Sequence, residues 1–142
     1  MSNYHFFNKK ELEKILDACL NKTLGEVDVN NVFDKTKEHS KITGIAGDVI
    51  EQSVLGYPAD TRQEPDLDVD GVKTELKTTG IKYKKNKTEL VAKEPMSITA
   101  VSPEFIVNES FCDSNFWHKL AHLLFYHLQY GLLHYLQQPC NL

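Results

Sequence analysis

Cysteine is scarce: Cys19, Cys112 and Cys140 are the three in 142 residues, widely spaced and odd in number. That excludes a disulfide framework and a cysteine zinc site, and reads as reduced thiols in a cytoplasmic protein. Long apolar runs are missing too, and Met1 to Lys10 is polar, without the hydrophobic stretch of a signal peptide. No membrane partner is therefore expected. No serine or cysteine sits in a nucleophile elbow, and Gly44 and Gly47 lack the lysine and spacing of a phosphate-cradling P-loop. Basic residues are not in excess either. The formal net charge is −4, which argues against a simple nucleic-acid-binding module. Neither an internal repeat nor a low-complexity linker divides the chain. A hydrophobic share of 41% and a charged share of 25% are ordinary for a globular protein, so 142 residues make one domain with a real core.

What is there is charge sorted by sign. Asp60, Glu64, Asp66, Asp68 and Asp70 crowd one stretch, and Lys73, Lys77, Lys82, Lys84, Lys85 and Lys87 follow it. An acidic cluster beside a basic strip suits a metal site next to a phosphate track. Asp70-Gly71 separates two alternating runs, the signal for a two-residue β-hairpin turn. Such a turn sets Val69 opposite Val72, Asp68 opposite Lys73, Leu67 opposite Thr74 and Asp66 opposite Glu75. Opposed residues bring their Cβ atoms to roughly 4.5–5.5 Å, and alternation puts Lys77 on the face of both acids. Two carboxylates and an amine then converge where a divalent metal can bind, with an ammonium beside it. The same pattern also describes a half-buried hairpin with a solvated charged side, since Leu67, Val69, Val72 and Leu76 share the other face.

Around the hairpin, Asn8 with Glu11 and the spacing of Leu12, Ile15, Leu16, Cys19 and Leu20 predict an amphipathic helix over 9–20. Val27 to Val32 is polar and turn-like. Ile45, Val49, Ile50 and Val54 predict a second helix over 45–55, stopped by Gly56 and Pro58. Residues 82–87 read as a basic turn around Asn86, and 89–92 and 96–101 as strands. The segment from Phe116 to Leu136 fits either an apolar helix or a strand running into a tail. His118 and His122 stand four apart, a zinc-binding spacing on a helix, with no acid between them.

In this order, four motifs resemble the MutH family, which comprises the mismatch-repair nicking endonuclease and type II restriction endonucleases that cut at GATC. Thr23-Leu24-Gly25-Glu26 is similar to its T-L-G-E. Gly47 through Glu51 with Leu55-Gly56 is similar to its G-x-x-(L/I)-E helix ending in Leu-Gly or Phe-Gly. Gly71-Val72 with Glu75-Leu76-Lys77-Thr78-Thr79 resembles its G-(V/I)-E-L-K-T, and His118-Lys119-Leu120 its H-K-L. The resemblance covers Lys9 to Leu124. It implies an α/β, restriction-endonuclease-like fold, a mixed central sheet flanked by helices. The implied activity is Mg²⁺-dependent (or Mn²⁺-dependent) cleavage of double-stranded DNA in a restriction system or in DNA repair. Asp66 and Glu75 would hold the metal, with Glu51 as a further acid; Lys77 would stabilise the attacking hydroxide or the developing charge, and Lys119 would contact the phosphate. Lys82, Lys84, Lys85 and Lys87 would track the DNA backbone. A DNA-binding remnant without cleavage, or another PD-(D/E)xK nuclease such as a resolvase, are the alternatives.

Two departures from the family pattern matter. Lys73-Thr74 intervene between Gly-Val and the motif glutamate, so family spacing favours Asp68 as first ligand while strand pairing and Pro65 favour Asp66. An insertion of two keeps the facing, and either acid points toward Glu75. Family members also continue well past the H-K-L segment. Residues 125–142 therefore read as an atypical tail on a single domain lacking the family's C-terminal portion. Leu123, Leu124, Phe125, Leu128, Leu132, Leu133 and Leu136 are expected to stay poorly covered and to drive self-association.

Overall fold

A computed structural model describes residues 5–38, 44–58, 65–93, 95–129 and 132–139, with the side chains of Thr36 and 132–139 outside that description. The sequence-predicted acids Asp60 and Glu64 and the thiol Cys140 fall outside the described residues. In chain order the elements are β1 (His5–Phe7), α1 (Lys9–Asp17), α2 (Leu24–Val27), α3 (Lys35–Glu38), α4 (Ile45–Val49), β2 (Leu67–Val69), β3 (Val72–Tyr83), β4 (Leu90–Ala92), α5 (Pro103–Ile106), α6 (Asn115–Ala121), β5 (His122–Gln129) and β6 (Leu132–Pro139). Six described strands form one mixed sheet in the order β1-β2-β3-β5-β6, with β4 paired to the far end of β3. β1 with β2 and β3 with β5 are parallel; β2 with β3, β3 with β4 and β5 with β6 are antiparallel. The expected α/β architecture, a mixed sheet with flanking helices, is what forms.

The β2–β3 hairpin has the register that alternation dictates: Val69 pairs with Val72, Asp68 with Lys73 and Leu67 with Thr74. Its turn needs two residues in left-handed backbone, and Asp70 (φ 50°) and Gly71 (φ 86°) supply them. The tip is tied down. Asp70 N donates to Phe7 O (3.0 Å), and Asp70 Oδ2 accepts from Lys9 N (3.0 Å) at the start of α1. Asp68 Oδ1 accepts from Gly71 N (2.8 Å) across the turn.

One face of the sheet is the core. Leu67 and Val69 of β2, Leu76 of β3, and Leu124 and Tyr126 of β5 pack with Leu12 and Leu16 of α1 and with Val49 and Ile50 of the second helix. Each such fully buried side chain contributes roughly 1.5–3 kcal/mol. Tyr126 is wholly buried and satisfies its hydroxyl by donating to Leu16 O (3.2 Å), which fixes α1 to β5. α4 lies close over β3: a Cβ at Gly47 would stand 3.4 Å from Thr78 Oγ1.

Several expectations are corrected. α1 stops at Asp17, with Asn8 capping through Lys10 N (2.9 Å), and the capping box belongs instead to Thr23 and Glu26. There Glu26 Oε2 accepts from Thr23 N (2.7 Å), and Thr23 Oγ1 accepts from Glu26 N (3.3 Å). The T-L-G-E motif is thus a helix start. The second helix changes to a π turn over Ile50–Val54, where Leu55 N reaches back to Ile50 O (2.8 Å). Residues 96–101 form no strand despite their β-branched side chains, because no sheet edge pairs with them. The sheet does not end at Leu124: β5 runs on to Gln129, and the backbone of 132–139 forms β6. Leu123 and Leu124 are buried and Phe125 and Leu128 half-buried, so these four are covered, contrary to expectation. Exposed apolar side chains cluster instead around α5, at Val101, Phe105, Ile106, Val107 and Phe111. Among the described residues no helix is long and apolar enough to cross a membrane.

Candidate active site

The face of β3 opposite the core carries Lys73, Glu75 and Lys77, as alternation requires. Leu123, the parallel partner of Glu75 on β5, is buried beside it and keeps water out. Glu75 is only 2% exposed, an unusual place for a carboxylate. Its Oε1 is held by two ammonium groups, Lys77 Nζ at 2.9 Å and Lys119 Nζ at 3.4 Å. Lys77 comes from the same strand face. Lys119 comes from α6, whose start is fixed by Ser114 accepting from Trp117 N (3.1 Å). Glu75 Oε2 is buried and finds no hydrogen-bond partner among the described residues.

Asp66 completes the group. Its Oδ2 accepts from Leu76 N (3.0 Å), so it sits across the hairpin from the motif glutamate. Burial, and next the negative charge of Glu75, push its carboxyl up to about 6; the Leu76 N–H, Lys119 and Lys77 pull the other way without prevailing. The structure therefore brings Asp66, Glu75, Lys77 and Lys119 together. Lys119 lies 44 residues from Glu75 in the chain.

Asp68 has different work. It shares the face of Glu75, but its Oδ1 holds the turn through Gly71 N and its Oδ2 holds Lys73 Nζ at 3.3 Å. Glu51 lies on the π turn after α4, half-buried, with its carbonyl accepting from Tyr57 N (3.0 Å). Among the described residues no group of three His, Cys, Asp or Glu side chains stands close enough to hold a metal on its own. α6 ends at Ala121 and His122 opens β5, so His118 and His122 do not share a helix face in zinc-binding fashion.

The basic turn forms where expected, at the other end of β3. Lys87 N donates to Lys84 O (2.8 Å), Thr88 N to Asn86 Oδ1 (3.2 Å), and Lys87 takes left-handed backbone. Lys82, Lys84, Lys85 and Lys87 are all exposed, and Lys84 pairs with Glu89.

One buried acid escaped the sequence reading. Asp28 lies in the segment that reads as polar and turn-like, yet it accepts from Val32 N (2.9 Å), Phe33 N (2.9 Å) and Ser53 Oγ (2.6 Å). Burial alone would raise its carboxyl, but the bonds from Phe33, Ser53 and Val32 together hold it below the ordinary range. It ties the turn after α2 to the π turn. The only signal for it was an acid four residues before an apolar Val-Phe pair, the spacing of a local side-chain cap.

No curated protein matches the chain. The family model described as the DNA mismatch repair enzyme MutH matches residues 55–134, more than half of the length, from the end of the second helix through the site hairpin and Lys119 into β6. With four family motifs in order and a carboxylate–lysine group assembled from two of them, the chain belongs to the MutH family, nucleases of the mismatch-repair and restriction type.

Proposed function

We propose that this protein is a Mg²⁺-dependent endonuclease that hydrolyses phosphodiester bonds of double-stranded DNA, in the restriction or repair manner of its family. The observation that carries the reading is the convergence of Asp66, Glu75, Lys77 and Lys119 on one water-poor spot.

The donor set suits a hard divalent cation. Glu75 Oε2 is a buried oxygen without a partner among the described residues, and Asp66 is a carboxyl that burial keeps partly protonated until a positive charge joins it. Magnesium takes oxygen ligands and keeps several waters, so two carboxylates are enough. Asp66 and Glu75 would hold it, with Glu51 as a further acid toward a metal-bound water and not a direct ligand; Asp68 is assigned to the turn. A bound Mg²⁺ would lower the pKa of a coordinated water and neutralise charge on the phosphate. Lys77 would leave its pairing with Glu75 in part and stabilise the negative charge that develops on the attacked phosphate. Lys119 would hold the phosphate oxygen itself.

The test is supercoiled plasmid with purified protein and Mg²⁺, against EDTA and against Glu75→Gln. GATC-containing DNA, methylated and unmethylated, is the first substrate to compare. Nicking or linearisation that needs Mg²⁺ and Glu75 is expected. Equal cutting by Glu75→Gln would show the site to be elsewhere.

A further inference from the structure

A cleft of about 500 Å³ opens beside the carboxylate–lysine group, between the β2–β3 tip and the junction of α6 with β5. Pro65, Gly71, Val72 and Lys73 line one side, and His118 and His122 the other. Its size is that of an ordinary ligand site. Three of its lining residues adjoin the group in the chain: Pro65 precedes Asp66, His118 precedes Lys119, and Lys73 stands two positions before Glu75 on the same strand face. Both imidazoles are exposed, Lys73 is anchored by Asp68, and among the described residues lining the cleft none is acidic. Three nitrogen-bearing side chains thus face a partly apolar floor.

We infer that this cleft binds the DNA backbone next to the bond being cut, with His118 and His122 donating to a neighbouring phosphate and Pro65 and Val72 meeting the sugar. The inference rests on the nuclease reading and deepens it. The two histidines touch no reacting atom; they are phosphate-binding residues. An imidazole donates from both nitrogens, and carries charge to a phosphate, only when protonated. Besides the histidines, the charged groups around the cleft among the described residues are Lys73 with Asp68 behind it, Asp70 at the tip beside Gly71 with its Oδ2 accepting from Lys9 N, and Lys119 with Glu75 and Asp66 beside it.

The experiment measures binding of a labelled duplex by fluorescence anisotropy in EDTA, as a function of salt, at about pH 5.5 and about pH 8. Wild type is compared with His118→Asn/His122→Asn. For each phosphate engaged by an imidazolium, the log–log salt slope of wild type should be steeper at the acid pH by about 0.9. The double variant, in which Asp66 still titrates, should lack that part of the change. In Mg²⁺ its KM should rise several-fold with kcat little altered. Single His118→Gln and His122→Gln variants, each checked by thermal melting, give the same readout should the double variant fail to fold. Wild type that binds and cuts duplex, with a pH change in slope shared by the variants, overturns the subsite alone. Wild type that neither binds nor cuts overturns the nuclease reading and the subsite with it.

Discussion

Asp28 and Asp66 are both withdrawn from water, and the two regions that hold them treat a carboxylate in opposite ways. Around Asp28, two backbone amides and the Ser53 hydroxyl converge on the oxygens, and the group is held below the ordinary range despite its burial. Around Asp66, the Leu76 amide donates while a second carboxylate presses in, and the group rises to about 6. The first arrangement is complete within the protein. In the second, both ammonium groups are held by Glu75 Oε1, and Asp66 gains from a ligand that brings further positive charge. Acids of one type in one small domain are thereby divided into a structural member and one proposed to be reactive.

The sharpest break in this contrast comes from the reactive side. Glu75→Gln keeps the shape but removes the charge that pairs Lys77 and Lys119, and Mg²⁺-dependent plasmid cleavage is expected to fall at least about a hundredfold. Asp28→Ala should instead act through stability. It leaves two inward-facing amides unpaired, and urea unfolding should show a loss of about 3 kcal/mol. An unfolding midpoint equal to wild type would erase the distinction between the two acids.

The pH dependence separates them by sign. Asp66 has a raised folded-state pKa, so in EDTA the folded form binds more protons between about 4 and 6, and its contribution is present at acid pH and lost as pH rises through about 6. That loss is on the order of 2–3 kcal/mol. Asp28 is lowered, so its contribution is present above the ordinary carboxylate range and lost as pH falls through its folded value. Asp66→Asn, which keeps an oxygen for Leu76 N, should raise the melting temperature of metal-free protein at about pH 8 and flatten the Asp66 limb. Unchanged melting would mean that the charge at position 66 is already compensated. Adding Mg²⁺ or Mn²⁺ at about ten times its Kd should stabilise wild type by about 1.4 kcal/mol, and Asp66→Asn by less. The smallest effect lies at the basic turn. Replacing Lys85 and Lys87 by Ala should make the salt slope of DNA binding shallower by up to about 1.8 while leaving sequence preference alone. An identical slope would mean that the turn is merely solvated.

Much of the reactive side was legible from local chemistry. Asp-Gly has few alternatives as a hairpin turn, and period-two alternation then aligns Asp66, Glu75 and Lys77 without any knowledge of the rest of the fold. Lys119 was not legible that way, because its contact with Glu75 spans 44 residues and depends on α6 leading into β5 beside β3. Only the family motif pointed to it. The segment after Phe116 was ambiguous because a buried parallel strand has no polar alternation to tell it from a helix. Asp28 stayed hidden because a buried cap and a solvated turn have the same composition.

β3 is twelve residues long and runs unbroken from the site hairpin to the basic turn. At about 3.3 Å per residue, the eight steps from Glu75 to Tyr83 span about 26 Å. Along B-DNA that length corresponds to about eight base pairs. Under the proposed nuclease reading, with the duplex lying along β3, the strand would act as a ruler: it would set how much duplex must extend to one side of the cut before Lys84 to Lys87 come within reach. A duplex with a shorter arm on that side would still meet the carboxylates, yet would bind as though those lysines had been removed.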